Sequence, residues 1–316
     1  MNGNQKSLTF RELFQQYNQE EPEFIPLTND LLFHKVFTEN KEALACLLSS
    51  LLNLPREEIV TVDILNPVQY GESSDARQTI LDLNVHLNQE KYILVEVQVR
   101  RYQSWTDRAL VYASRHIADQ VKGNSFDYGK LQQVVQISIM SHTLFPDHRK
   151  FFTKYTLRDE TGYEFSDRLQ FLTMDLTAAD LATEAEKKQG LVEWAKAFGA
   201  STWEEVESVD TPGIQEVKSS MTFIMSQPTE RDRIFAHQMA IWDQNTIIAD
   251  AKREAEAAKR EVEASKREVE AITQKHENEK KEIARKMSGK GISPEEIADL
   301  LNLTVDSVQA WLSEKP

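Results

Sequence analysis

The sequence predicts a mixed α/β fold in which helices flank a central sheet. Within residues 80–99, apolar side chains recur at every second position over residues 81–87 and 93–99, which is typical of two half-buried strands joined by a short turn. Residues 134–141, VVQISIMS, are mostly apolar and indicate a buried central strand. The segment between them, residues 102–121, predicts a helix, and this order of elements favours a sheet with helices packed on it.

The chain before and after these segments completes the predicted core, residues 25–176. Residues 1–24 carry a short amphipathic pattern and predict an N-terminal arm. Polar residues at 28–30 predict a helix start, and the apolar periodicity extends this helix to Leu52. Further strands are predicted at residues 58–68, 151–158, 163–168 and 169–176.

The register of the hairpin within residues 80–99 follows from its apolar side chains. An odd-numbered loop centred on Gln89 pairs residues whose numbers sum to 178, which keeps the apolar residues of both strands on one face. An even-numbered loop would mix the two faces. The predicted register therefore places Asp82 directly opposite Glu96.

Two carboxylates in opposed positions indicate a metal site. Like charges directly opposite each other destabilise a sheet and compete for ionisation. A divalent cation removes this repulsion, and carboxylate oxygens are the ligands that magnesium prefers. The alternative interpretation is an ordinary amphipathic hairpin with a solvated acidic face.

The order of Asp82, a hairpin and Glu96-Val97-Gln98 resembles the PD-(D/E)XK nuclease superfamily, with Gln98 where a lysine is usual. The segment TNDLLFHKVF, residues 28–37, is similar to the opening motif of the recombination-promoting nucleases, a bacterial branch also described as transposases. The resemblance implies a restriction-endonuclease-like core, with Asp82 and Glu96 as metal ligands and Gln98 and Asp30 as further catalytic residues. Asp30 is equally well explained as a first-turn acid that the helix dipole favours.

The same resemblance implies a magnesium-dependent DNA endonuclease, with Mn²⁺ as a possible substitute, that promotes recombination or mobile-element activity. A neutral Gln98 can position water but cannot balance charge as lysine does, so we expect slow cleavage. Two alternatives stay open. One is a catalytically weak nuclease-fold protein that acts as a DNA-binding or assembly module, and the other is a metal phosphodiesterase acting on a small nucleotide.

Basic residues recur every seven positions along the helix after the hairpin. Arg101, Arg108, Arg115 and Lys122 are predicted to share one face, because seven residues drift by only about 20° around a helix. The resemblance also gives Arg108 and Tyr112 a phosphate-facing or supporting role. We predict that Arg101, Arg108, Tyr112 and Arg115 contact DNA, and the alternative is a solvated face that pairs with acids elsewhere.

The C-terminal part of the chain is predicted to be helical. Residues 177–250 predict several short helices that extend the core. Residues 251–286 contain a seven-residue repeat whose Ala and Val seam suits either a weak homodimeric coiled coil or a solvated spacer helix. Residues 287–316 resemble a helix-turn-helix in shape, but the second helix lacks basic residues, which favours packing or oligomerisation over base readout.

Composition limits the classes of protein that remain. The net charge is −14, so any nucleic-acid site must be local rather than spread over the surface. The single cysteine, Cys46, excludes a disulfide framework, and no apolar run is long enough to span a membrane. These features predict a cytoplasmic protein.

Overall fold

The computed structural model divides into two compact units, residues 1–240 and residues 241–316. In the part of the chain it describes, no helix has the length and apolar character needed to cross a membrane. The described residues are 8–17, 19–65, 68–69, 79–80, 83–101, 104–122 and 126–313.

The described chain combines helices and strands, which we number in chain order. The strands are β1 (Val62–Ile64), β2 (Val68–Gln69), β3 (Thr79–Ile80), β4 (Leu83–Leu87), β5 (Lys91–Gln98), β6 (Gln133–Met140), β7 (Phe152–Arg158) and β8 (Glu164–Asp175). The helices are α1 (Phe10–Gln16), α2 (Asp30–Glu39), α3 (Lys41–Leu52), α4 (Trp105–Gln120), α5 (Glu184–Lys188), α6 (Leu191–Gly199), α7 (Trp203–Glu207), α8 (Pro212–Met225), α9 (Pro228–Ser288), α10 (Pro294–Leu301) and α11 (Val305–Ser313).

A six-stranded mixed sheet with strand order β1-β4-β5-β6-β8-β7 forms the centre of the first unit. Strands β5, β6 and β8 are parallel, and the other pairings are antiparallel. The predicted α/β fold with a mixed sheet flanked by helices is confirmed, and β6 lies centrally as predicted. The strands predicted at 163–168 and 169–176 form one continuous strand, β8.

The two faces of this sheet are covered by different helices. One face, which we call the apolar face, shares a single hydrophobic cluster with α2, α3, α6 and α8, and Val85, Val95 and Ile137 are its fully buried centre. The other face, which we call the α4 face, packs against α4 through Leu94, Met140 and their neighbours. Because strand side chains alternate, the residues between the apolar positions lie under α4.

The prediction of one long helix from residue 28 to Leu52 is wrong in one respect, because the helix is interrupted at Asn40. This residue has extended backbone angles, and its side chain accepts a hydrogen bond from the Ala43 amide as the N-cap of α3. Its amide nitrogen donates to Glu216 and to Ser220 of α8. A capping residue that is also fixed by a neighbouring helix overrides the continuous apolar periodicity.

The first helix is part of the core instead of a separate arm. Phe10 and Phe14 are fully buried, and both rings contact the ring of Trp203, with centroids 4.4 Å and 5.6 Å away. Lys218 fixes the backbone just before this helix, because its ammonium donates a hydrogen bond to the carbonyl of Leu8 at 3.0 Å.

Helix α9 is continuous over 61 residues and passes through the predicted boundary at residue 250. In the second unit, the last turns of α9 pack with α10 and α11 around Ala284, Ile297 and Val308. Ser293 caps α10 with Pro294 at its first position, as predicted.

Candidate active site

The hairpin of β4 and β5 has the predicted register. The described pairs run from Leu83 opposite Val95 to Leu87 opposite Lys91, and the numbers in each pair sum to 178. The turn needs a left-handed backbone at Asn88 and Gln89, which have φ angles of 52° and 57°. Asp82, the predicted partner of Glu96, lies outside the described residues.

Glu96 lies on the α4 face near the carboxyl end of β5. It alternates with Val95 and Val97, whose side chains enter the apolar face. Its side chain is only 2% exposed, so the alternative of a solvated acidic face is wrong for this residue. A buried carboxylate is costly unless hydrogen bonds, a cation or an opposite charge compensate for lost water.

Neutral polar side chains surround this carboxylate. Gln98, the next residue on the same face, donates from Nε2 to Glu96 Oε2 at 3.4 Å. Ser138 of β6 is the direct register partner of Glu96, and Gln136 is the partner of Leu94, one step along the same face. On the other side, Asn84 of β4 is paired with Leu94 and is also buried. The described part of the site is therefore a layer of oxygen and amide groups beside the Glu96 carboxylate.

Helix α4 brings Arg108 and Tyr112 to this face. Tyr112 packs against the cluster of Leu94 and Ala113, and its hydroxyl accepts a hydrogen bond from Arg108 Nε at 3.3 Å. The Arg108 guanidinium also lies over the Tyr112 ring, 5.4 Å from its centroid. Both side chains are half-buried.

The predicted basic stripe is shorter than the seven-residue spacing suggested. Arg108 and Arg115 belong to α4 and are half-buried, whereas Arg101 precedes the helix and Lys122 follows it. The helix was predicted over residues 102–121, and in the structure it extends from Trp105 to Gln120. Only two of the four basic residues therefore share a helix face.

A sequence profile of PD-(D/E)XK nuclease family transposases matches residues 27–251. The chain belongs to this family. The match begins just before α2 and ends where the seven-residue repeat begins, so it includes the sheet and both of its helical layers. No curated protein and no solved structure matches the chain.

Nucleases of the PD-(D/E)XK family generally use divalent metal ions, and the groups around Glu96 fit such an ion. A carboxylate, the carbonyl oxygens of Gln98 and Gln136 and the Ser138 hydroxyl are hard oxygen donors of the kind that magnesium prefers. Within the described ranges, no three His, Cys, Asp or Glu side chains come together in a metal-binding group. Among the described residues, the Glu96 carboxylate and these neutral oxygens would hold such an ion.

Asp30, the acid that the family resemblance assigned to the first helix, has a different partner. It occupies the first turn of α2 after the N-cap Asn29, as the helix-dipole interpretation predicted. Its Oδ1 atom also pairs with Nε2 of His237 in α9 at 2.6 Å. The contacts of its carboxylate are thus within the helical layer on the apolar side of the sheet.

The carboxyl ends of β5, β6 and β8 meet at one edge, where further titratable groups lie. Burial lowers the pKa of His142, the positive charge of Arg101 lowers it further, and Asp175 opposes both effects. The carboxylate of Asp175 is fully engaged, because it accepts hydrogen bonds from the hydroxyls of Thr143 at 2.7 Å and Thr177 at 2.6 Å. Arg101 is therefore near this edge, and Asp175 has a capping role.

Helix α4 carries a buried histidine, His116. Its ring is buried beside Tyr92, with centroids 5.7 Å apart, and burial lowers its pKa to about 4. The nearby charge of Asp119 acts in the opposite direction but is the smaller effect. This histidine is consequently neutral at neutral pH and belongs to the packed part of the layer.

Sequence reasoning missed Asn84, Gln136 and Ser138 as members of the site. A signal was present, because Gln136 and Ser138 interrupt an apolar strand at alternate positions and so must share one face. That strand was interpreted through its apolar residues alone. The face they share is identified only by the register with Glu96.

Proposed function

We propose that this protein is a magnesium-dependent DNA endonuclease that hydrolyses phosphodiester bonds, with Mn²⁺ able to replace Mg²⁺. The single observation that carries the proposal is the buried Glu96 carboxylate, which lies among oxygen donors within the part of the chain that the family profile matches. By resemblance, the biological role is to promote DNA recombination or mobile-element activity.

In this proposal Glu96 and Asp82 hold the cation. A bound divalent cation would supply Lewis acidity at the scissile phosphate and help to activate the attacking water. Gln98 has the position of the usual lysine, and its amide is within hydrogen-bonding distance of Glu96. An amide orients water and carboxylate groups but carries no charge, so we expect cleavage to be slow compared with a lysine-containing site. By resemblance Asp30 is a further catalytic residue, and its carboxylate is bonded to His237 in the structure.

The DNA backbone would be bound on the same side of the sheet. Arg108 and Arg115 on α4, with Tyr112 between them and Arg101 near the carboxyl edge, supply the local positive charge that an acidic protein needs for this contact. A homodimer through the seven-residue repeat is the proposed assembly. Val262, Val269 and Ile272 are more than half exposed there, and light scattering of the full chain measures that assembly directly.

The test uses supercoiled plasmid DNA and the purified full-length protein. We expect nicking and linearisation with Mg²⁺ or Mn²⁺, and intact plasmid with a chelator. Glu96→Gln and Asp82→Asn should each abolish cleavage, because each removes a charged metal ligand. Glu90→Gln is the matched control, since Glu90 is an exposed acid in the turn of the same hairpin and should leave cleavage unchanged.

Two results would contradict the proposal. Cleavage that persists in chelator, or in Glu96→Gln of high purity, would place the chemistry elsewhere. DNA binding without any metal-dependent cleavage would favour the alternative, a nuclease-fold protein that acts as a binding or assembly module. Thermal unfolding of each variant separates loss of chemistry from loss of fold.

A further inference from the structure

Two fully buried polar side chains on β6 have no partner in the described protein. Both amide atoms of Gln136 and the hydroxyl oxygen of Ser138 are inaccessible to solvent and make no hydrogen bond within the described ranges. Buried polar groups are nearly always hydrogen-bonded, because an unsatisfied one retains the full cost of leaving water. Three such atoms on one strand therefore call for an explanation.

Their position relative to Glu96 is specific. Ser138 is opposite Glu96 in a parallel pairing, where neighbouring strands are about 4.8 Å apart. Gln136 is two residues before Ser138 on the same face, so its amide flanks the carboxylate diagonally. Glu96, Gln136 and Ser138 are thus neighbours in one buried layer.

Packing alone does not require polar side chains at these positions. Val134 and Met140 are on the same face of the same strand, and both pack into apolar clusters with α4. Apolar side chains at positions 136 and 138 would extend those clusters without leaving any polar group unsatisfied. The two polar residues therefore reduce the stability that this layer contributes to the fold.

We propose that Ser138 and Gln136 are positioning residues for the water molecules of a divalent cation held at Glu96. The inference rests on the proposed function and extends it to two residues with no assigned role. Magnesium usually keeps several of its waters, and each such water needs hydrogen-bond acceptors. The Ser138 hydroxyl and the Gln136 carbonyl are acceptors, while the Gln136 amide N–H can donate to a water oxygen.

The effect of such water-holding groups on cation binding can be large. Groups that hold the outer ligands of a metal ion typically change its affinity 10- to 100-fold when they are removed. Neutral partners beside Glu96 would therefore contribute substantially to cation affinity.

The experiment measures cation affinity and stability separately in the full-length protein, without DNA. Titration calorimetry with Mg²⁺ compares the wild type with Ser138→Ala, Gln136→Leu and Glu96→Gln. We expect Ser138→Ala and Gln136→Leu each to weaken Mg²⁺ binding by roughly 10-fold or more. In chelator, the melting temperature of both should be unchanged or higher, because each removes an unsatisfied polar group.

A matched control is Thr222→Val in α8. Its hydroxyl is equally buried but donates to the carbonyl of Lys218 at 2.8 Å. This substitution should lower the melting temperature in chelator and leave the Mg²⁺ affinity of the folded protein at the wild-type value. The opposite signs of the two effects distinguish a positioning role from a merely structural one.

Each remaining outcome has a definite meaning. If Ser138→Ala and Gln136→Leu bind Mg²⁺ as the wild type does while Glu96→Gln does not, the cation site stands and the inference about β6 is overturned. If both variants melt at lower temperatures in chelator, their polar groups have protein partners and the inference is also overturned. If the wild type itself binds no Mg²⁺, the proposed function fails together with it.

Discussion

The two faces of the central sheet differ in chemistry although the same strands build both. The apolar face buries aliphatic side chains such as Val95 and Ile137 in one cluster with a layer of helices. The α4 face, one residue out of phase, carries the buried side chains of Glu96 and Ser138. The comparison separates the residues that stabilise the fold from those that would perform chemistry.

The difference also explains why the α4 face can be polar at all. The apolar face is packed in one contiguous cluster, which supplies most of the burial that holds the first unit together. The α4 face has small apolar clusters at its two ends, around Leu94 and around Met140, with the polar layer between them. Because the apolar face supplies most of the stability, the fold tolerates buried polar groups without hydrogen bonds on the α4 face.

Adjacent residues on β6 give the largest expected contrast between the faces. Ile137→Ala on the apolar face should lower the free energy of unfolding by about 4 kcal/mol, because it leaves a cavity in a packed core. Ser138→Ala on the α4 face should leave it unchanged or raise it. Urea titration of both variants in chelator measures the difference, and equal losses of stability would show that both faces contribute alike to the stability of the fold.

The hairpin and the fold were predictable because their signals are local. Strict alternation fixes which side chains share a face, and the parity of the loop fixes the register, so Leu83 and Val95 pair as predicted. The family resemblance identified Glu96 and Gln98, which lie two residues apart on one strand and therefore share a face. These features depend on residues that are close together in the sequence.

Features that depend on distant partners were missed. The break at Asn40 depends on contacts with α8, about 175 residues later, and the burial of Phe10 depends on Trp203. The partner of Asp30 is His237, which no spacing within α2 indicates. Gln136 and Ser138 are recognised as neighbours of Glu96 only from the pairing of β6 with β5. Tertiary contacts, and not local propensity, decide these positions.

The pH dependence of stability offers a second, smaller contrast, centred on α4. The pKa of His116 is about 4 in the folded protein and 6.5 as an unperturbed group, so the unfolded chain binds a proton more readily between these values. The neutral ring therefore contributes stability that is fully present above pH 6.5 and is lost as the pH falls towards 4. The expected loss from this residue is roughly 3 kcal/mol.

Comparison of the wild type with His116→Gln isolates this contribution, because burial also lowers the pKa of His34 and His142. The difference in unfolding free energy between the two proteins should shrink as the pH falls from 7 to 4. His148→Gln, at an exposed histidine, is the control and should parallel the wild type. A difference that stays constant with pH would show that His116 is not buried in neutral form.

The smallest expected effect concerns the DNA-facing role of the helix above the polar layer. Arg108→Gln and Arg115→Gln should each weaken binding to a short DNA duplex by about tenfold and reduce the salt slope by about one unit, because each removes one phosphate contact. Measurements in chelator keep the DNA intact. Arg11→Gln and Lys41→Gln are the matched controls, since these exposed basic residues belong to α1 and α3 on the opposite side of the sheet. Equal losses in both pairs would mean that DNA is attracted by charge in general, whereas loss confined to Arg108 and Arg115 assigns DNA binding to the face that carries Glu96.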